Sequence, residues 1–364
     1  MPSARAAEPW RVALPGWEYE FPRDHASHAG FQTEWWYFTG NLRAANGREF
    51  GYQLTFFRQG VRPPGETRSE SRFVIDDIKF AHFAITEVTD GRFHSFQQLS
   101  RGAYGEAGFS PGARVAWIGG WSCERTGLHD FRLRAGEGDL ALDLELKSLK
   151  QPVIHGRDGV SPKAPGAGRA SHYYSLTRLA TRGTITTGGA ASGVEGLTWF
   201  DHEWATNQLA PDQKGWDWFS LHFSDGTELM IFQIRTDAGG RSPTSSGTFV
   251  FEDGAARKID SGEFRLEPAR WWRSPETGGS YPVAWRLECP SLDLRLEIEA
   301  RLDAQELAAK PFAYWEGSVA ANGFRAGKPV QATGYLEMTG YAGRIVGLQA
   351  AEPPAVDEPP SRGR

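Results

Sequence analysis

Four short segments gather acids, imidazoles and hydroxyls among aromatic rings. They are His28–Trp36 (HAGFQTEWW), Phe80–Phe83 (FAHF), Ser171–Leu176 (SHYYSL) and Trp199–Trp204 (WFDHEW). An extended chain sends successive side chains to opposite faces. Trp199, Asp201 and Glu203 therefore share one face, and His172 and Tyr174 share another. A carboxyl between aromatic neighbours is partly desolvated, which disfavours its charged form and raises its pKa. Such an acid keeps its proton near neutral pH and can deliver it. Ring faces beside it stabilise a developing cation through their quadrupoles. This combination suits acid-catalysed addition to an alkene, or rearrangement of one, because the cation forms on apolar carbon.

A structural reading competes at each position. Buried Asp and His in β-proteins commonly hydrogen-bond loop backbone, which would account for Asp201 and His202 without chemistry. Glu34, beside Trp35 and Trp36, can simply cap an indole N–H. His82 reads as a satisfied core histidine. No metal site is expected: adjacent strand residues such as Asp201, His202 and Glu203 point to opposite faces, and the nine His lack a helical i, i+4 pair. No Gly-x-Ser-x-Gly elbow and no phosphate-cradling loop occurs.

The elements that must position these residues read as strands throughout. Glu34–Leu42 and Phe50–Arg58 flank Asn46-Gly47, a hairpin signal of the type I′ kind. Phe80–Val88 and Phe93–Leu99 flank Asp90-Gly91. Gly136–Asp139 separates His129–Arg134 from Leu140–Lys147, where Leu140, Leu142, Leu144 and Leu146 share a face. After Gln208 the pattern resumes, with turns expected at Asp225-Gly226, Asp253-Gly254 and Asn322-Gly323. Asp303–Lys310 (DAQELAAK) is the one helical-looking segment. Loops are expected at Val61–Ser71, Gln151–Arg169, Thr186–Gly193 and Thr236–Ser246. Short strands closed by Gly-containing turns argue for barrels or sandwiches.

The chain has 364 residues, 13% aromatic, with 14 Trp and 43 Gly. At about 150 residues per domain that length suggests two units, and the aromatic content excludes a disordered chain. The divisions expected are an extension at 1–24, a domain at 25–209 carrying the candidate site, a domain at 210–345 and a disordered tail at 346–364. A net charge of −5 offers no footprint for nucleic acid. Cys123 and Cys289 are too few for a disulfide scaffold, though they could form one bond. No apolar run is long enough to span a membrane, and Met1–Pro15 shows no secretory signal.

Several motifs together resemble the AttH/CrtC-like family of lipocalin-like proteins, which includes the carotenoid 1,2-hydratases. They are TEWWYFTGNL (33–42), FGYQLTFFR (50–58), FAHFAIT (80–86), SHYYSLTRL (171–179), WFDHEWATNQL (199–209), GWDWFSLHFSDGTELMIFQIR (215–235) and TGYLEMTGY (333–341). The resemblance implies an all-β fold of two consecutive lipocalin-like (calycin) antiparallel β-barrel domains. In the hydratases it implies a His-x-Trp pair and a Tyr-x-Asp pair, with the Asp protonating a terminal isoprenoid double bond and water capturing the tertiary cation. His172 and Tyr174 match the first pair, Trp199 and Asp201 the second, with the two aromatic identities exchanged. FDHEW is more similar to the AttH-type branch.

The site this implies has Asp201 as proton donor and His172 orienting Asp201 or the attacking water. Tyr174 and Trp199 would line the cation site, and Glu34, Trp35, Trp36 and Glu203 would serve as pocket or supporting positions. No cofactor is needed, since a proton and a water suffice. The expected partner is a hydrophobic isoprenoid- or polyene-like molecule. The alternative is a lipid or terpenoid carrier beside an ABC-type transporter, and family resemblance suggests an exported, periplasmic protein. A third class is a structural protein with filled barrels.

Overall fold

The computed structural model describes residues 9–64, 74–309 and 313–343. Among the described residues, thirteen strands from Thr33 to Ala205 form one antiparallel sheet, and ten from Gln213 to Met338 form another. Both sheets curl into barrel-like halves of the lipocalin-like kind. Helical structure among the described residues is confined to three-residue 3-10 turns such as Arg23–His25. The expected tail at 346–364 lies outside the described residues.

At the centre of the first sheet, the Ala190–Ala205 strand pairs with Thr33–Ala44 on one side and Ala170–Thr187 on the other. The expected loop at Thr186–Gly193 is instead nearly all strand. Gly188 and Gly189, at φ +57° and +75°, close an unusually long hairpin. In the Asn46-Gly47, Asp90-Gly91 and Asp225-Gly226 turns only the glycine has positive φ, so these hairpins are not of type I′. The last hairpin turns at Ala326-Gly327 rather than Asn322-Gly323. Gly323 serves close approach: a Cβ there would lie 1.9 Å from the Arg295 carbonyl oxygen on the paired strand.

Asp303–Lys310 forms no helix within the described part. Glu306–Leu307 pairs as a short strand with Trp315 and Tyr314. Buried Gln305 accepts from the Ser318 N–H at 3.0 Å and from Thr86 Oγ1 at 2.7 Å. Two turns of helix are too short to compete with that pairing.

Alternation divides the side chains among three cores. Phe200, Trp204, Phe38 and Leu140, Leu142, Leu144 and Leu146 fill the first half, where Phe38 stacks on Phe200 at 4.3 Å. Trp285, Trp315 and their neighbours fill the second. A third core, including Tyr37, Tyr173, Trp199, Trp218 and Phe232, lies between the halves. Cys123 and Cys289 are both free and sit in different barrel cores, so no bond joins them.

Because the facing sheet surfaces are polar as well as aromatic, their contacts are directional. Buried Glu228 of the second half takes Lys150 of the first at 2.8 Å and Arg178 in a still shorter bond. Lys150 also donates to the carbonyls of Gly226 and Phe251, at 2.7 and 2.8 Å. His222 bonds the Thr177 carbonyl at 2.7 Å, and Asn41 donates to that of Gly334 at 3.0 Å. Removing one partner of a buried pair strands the other charge. Glu228→Gln is therefore expected to destabilise the fold by about 3–5 kcal/mol, read as a lowered urea midpoint.

Candidate active site

The cavity lies between the halves rather than inside either barrel, so strands of both sheets build it. Its volume is about 240 Å³. Trp35, Tyr37, Tyr173, Asp201 and Glu203 come from the first sheet, and Trp216, Trp218, Phe232, Glu316 and Glu337 from the second. The sequence placed the site within 25–209; the second half supplies a full wall.

Asp201 is buried and holds three donors. Tyr173 OH donates to Oδ2 at 2.8 Å, the Trp199 indole to Oδ1 at 2.6 Å, and Ser175 to Oδ1 in a shorter bond. Ser175 stands directly across from Asp201 in the strand register, and Tyr37 does so on the other side. Burial pushes the Asp201 carboxyl up to about 7, overriding the opposite pull of these three donors. The Trp218 indole bonds Tyr173 OH at 3.1 Å and fixes that phenol from the second half.

Behind Ser175 lies His155. Its Nε2 is 2.6 Å from Ser175 Oγ and its Nδ1 2.8 Å from Thr248 Oγ1. Burial depresses its pKa to about 3, so the ring is neutral, and its Nε2–H donates to the serine while Nδ1 accepts from Thr248. Lys163 pairs with Glu203 at 2.9 Å and lies over the Tyr173 ring at 5.0 Å. His155 and Lys163 both come from the 151–169 segment, expected only as a loop.

On the opposite wall, Glu316 and Glu337 face each other across paired strands. Tyr37 OH donates a short bond to Glu316 Oε1, while Oε2 has no hydrogen-bond partner among the described residues. Burial, reinforced by the neighbouring Glu337, pushes Glu316 well above the usual range. Burial pushes Glu337 up to about 8, with Glu203 and Asp201 adding to it. Gln208 Nε2, also in the lining, has no partner among the described residues and can donate to a ligand oxygen.

Of the residues anticipated from sequence, Asp201, Glu203 and Trp35 line the cavity, whereas Trp199 lies outside the lining and donates to Asp201. His172 and Tyr174 do neither. On their strand Tyr173 and Ser175 face Asp201, while His172 and Tyr174 turn into the first half. There His172 Nδ1 bonds the Gly159 carbonyl at 2.9 Å and Tyr174 OH bonds His25 Nδ1 at 2.6 Å. His172 therefore makes no contact that could orient Asp201. Trp36 also points inward, donating to the His25 carbonyl at 2.9 Å. His82 is buried and bonded to Tyr314 OH at 2.6 Å, and its ring reaches the cavity.

Glu34 borders the cavity but belongs to an ion-pair network. His28 Nδ1 lies 2.7 Å and His202 Nε2 3.0 Å from its Oε1, and Arg58 Nε lies 3.1 Å from Oε2. Burial opposes ionisation, yet His28, His202 and Arg58 hold the carboxyl below its usual range. His28, Glu34 and His202 have ligand atoms close enough for a metal ion. However, both imidazoles already bond the same carboxylate oxygen, and the Arg58 cation occupies the other. This donor set is satisfied as a hydrogen-bonded support.

Two barrel-like halves enclosing an aromatic, acid-bearing cavity define a lipocalin-like fold. The AttH-like family model matches residues 12–341, and the chain belongs to that family. The crystal structure of an AttH protein from Nitrosomonas europaea superposes with a TM-score of 0.81 at 33% identity, covering 91% of this chain and 99% of that one. Kievitone hydratase from Nectria haematococca shares the fold at TM-score 0.71 and 14% identity, over 93% and 98% of the two chains. The dehydratase asqC of Emericella nidulans is 26% identical over 65% of this chain and 68% of its own. No described helix is long and apolar enough to cross a membrane.

The donor set makes a direct expectation. Tyr173→Phe and Ser175→Ala each remove a bond to the ionised acid, so the Asp201 pKa should rise. His172→Gln should leave it unchanged. The Asp201 carboxyl C=O band, followed by infrared titration, reads both.

Proposed function

We propose that this protein adds water to, or removes it from, a C=C bond of an apolar small molecule, with Asp201 as the proton donor. The observation that carries the reading is a carboxyl held near neutral pKa on the wall of an aromatic cavity. Supporting it are the family membership and the likeness to a dehydratase and a hydratase.

In the hydration direction Asp201 gives its proton to one alkene carbon. The O–H bond breaks as the C–H bond forms, and positive charge develops on the more substituted carbon. The faces of Trp35, Trp218 and Tyr173 stabilise that charge. Water bonds to the cation and loses a proton, which restores Asp201 directly or through the neighbouring carboxyls. Dehydration reverses each step. Tyr173, Ser175 and Trp199 fix the orientation of the acid, and His155 fixes Ser175. A terminal isoprenoid double bond is the finer substrate reading, because its protonation yields a tertiary cation.

The test begins with mass spectrometry of whatever ligand co-purifies. The protein is then incubated with geraniol, farnesol and lycopene in ¹⁸O-labelled water, and products are scored for incorporated label. Asp201→Asn is expected to lower turnover by about 10²–10⁴-fold while binding persists. Since the acid must be protonated, the rate should fall as pH rises through about 7. Turnover that survives the substitution would remove Asp201 as donor. A stoichiometric ligand without any turnover would favour the carrier reading.

A further inference from the structure

The acids that line the cavity outnumber the cations that meet them. Of the five acids in its lining, Glu34 is paired with Arg58 and Glu203 with Lys163. His82 is neutral, its pKa lowered to about 3 by burial. Among the described residues Asp201, Glu316 and Glu337 form no ion pair, and Lys163 acts on Glu337 only at longer range. Aromatic rings of both halves surround them. Glu316 is 1% exposed and its Oε2 has no hydrogen-bond partner among the described residues.

We infer that this cavity selects ligands carrying positive charge at a branched centre, and that Glu316 and Glu337 of the second half are the residues that recognise it. Such a ligand is a tertiary or quaternary ammonium, or the equally branched carbocation that forms during the reaction. The inference rests on the cavity being the ligand site proposed above, and it gives that site a chemical preference. Ring faces favour cations over isosteric neutral groups, and uncompensated carboxyls in a poorly hydrated space add to that preference.

The pH dependence follows from the groups that face one another. From the first half, Tyr37 and Asp201 face Glu316, and Asp201, Glu203 and Lys163 act on Glu337. From the second, Tyr314 joins the two glutamates in the lining. Tyr37 and Tyr314 are held well above their ordinary range by burial and stay protonated. Without a ligand, burial shifts these three carboxyls towards their protonated forms. An entering cation favours their ionised form, so protons are released and affinity rises with pH.

The experiment titrates the full chain with benzyltrimethylammonium and with its neutral carbon isostere neopentylbenzene, followed by tryptophan fluorescence. At pH 8.5 the ammonium is expected to bind at least tenfold tighter, with the margin shrinking towards pH 6. Calorimetry in two buffers of different ionisation enthalpy should show proton release. Equal affinities, or a margin independent of pH, would overturn the inference. The Glu316→Gln/Glu337→Gln double variant should lose the preference, and a folded double variant that keeps it would also overturn the assignment. Should that variant fail to fold, the wild-type comparison and Glu337→Gln alone decide. An Asp201→Asn variant without turnover, beside a wild type with no ammonium preference, would sink this inference and leave the acid reading standing. The converse pair of results would do the reverse.

Discussion

Burying Glu228 between two sheets requires that cations meet it there. Lys150 and Arg178 do so from the first half while bonding carbonyls of the second. This fixes the distance and rotation of one sheet relative to the other, because neither cation can slide without leaving a charge dry. The cavity is a gap left between the same two sheets. Its two walls keep their spacing through bonds of the same kind: His155 to Thr248, Tyr37 to Glu316, and the Trp218 indole to Tyr173. Apolar packing alone would let two curved sheets adjust against each other.

Within that frame the acids take different roles from similar burial. Glu34 is surrounded by imidazoles and a guanidinium and stays ionised. Asp201, with neutral donors only, keeps its proton near neutrality. The two lie on neighbouring strands of one sheet, on opposite faces. Environment, not residue type, separates a structural carboxylate from a chemical one.

Much of the fold was legible from period-two alternation, since each barrel has a wet face, a core face and glycine-marked turns. The Leu140–Leu146 row shows this directly. Asp201, Trp199 and Glu203 were legible for the same reason. His172 and Tyr174 were misplaced by one residue of phase: alternation says which residues share a face, not which face meets the acid, and Tyr173-Ser175 was the other choice in the same segment. The pairing of Ser175 with Asp201 depends on a register that no local pattern reports. Glu316, Glu337, His155 and Lys163 were not legible at all. Glu316 and Glu337 reach the cavity only through docking of the halves, while Lys163 reaches it, and His155 reaches Ser175 behind it, from a segment without periodicity. The Asp303–Lys310 helix failed because local propensity over two turns is weaker than pairing to a neighbouring strand.

The Ala190–Ala205 strand has Phe200, His202 and Trp204 in one core and Trp199, Asp201 and Glu203 in another environment altogether. A strand buried on both faces has no solvent side to absorb an error. Inserting or deleting one residue within it would drive three aromatic or ionisable groups into the place of three others. Length change is tolerable only at its far end, beyond Gly188-Gly189, where the hairpin is exposed. Changes to the shape of the cavity are therefore accommodated in the 151–169 segment and in the second half's wall. The strand that carries Asp201 has no such freedom in length.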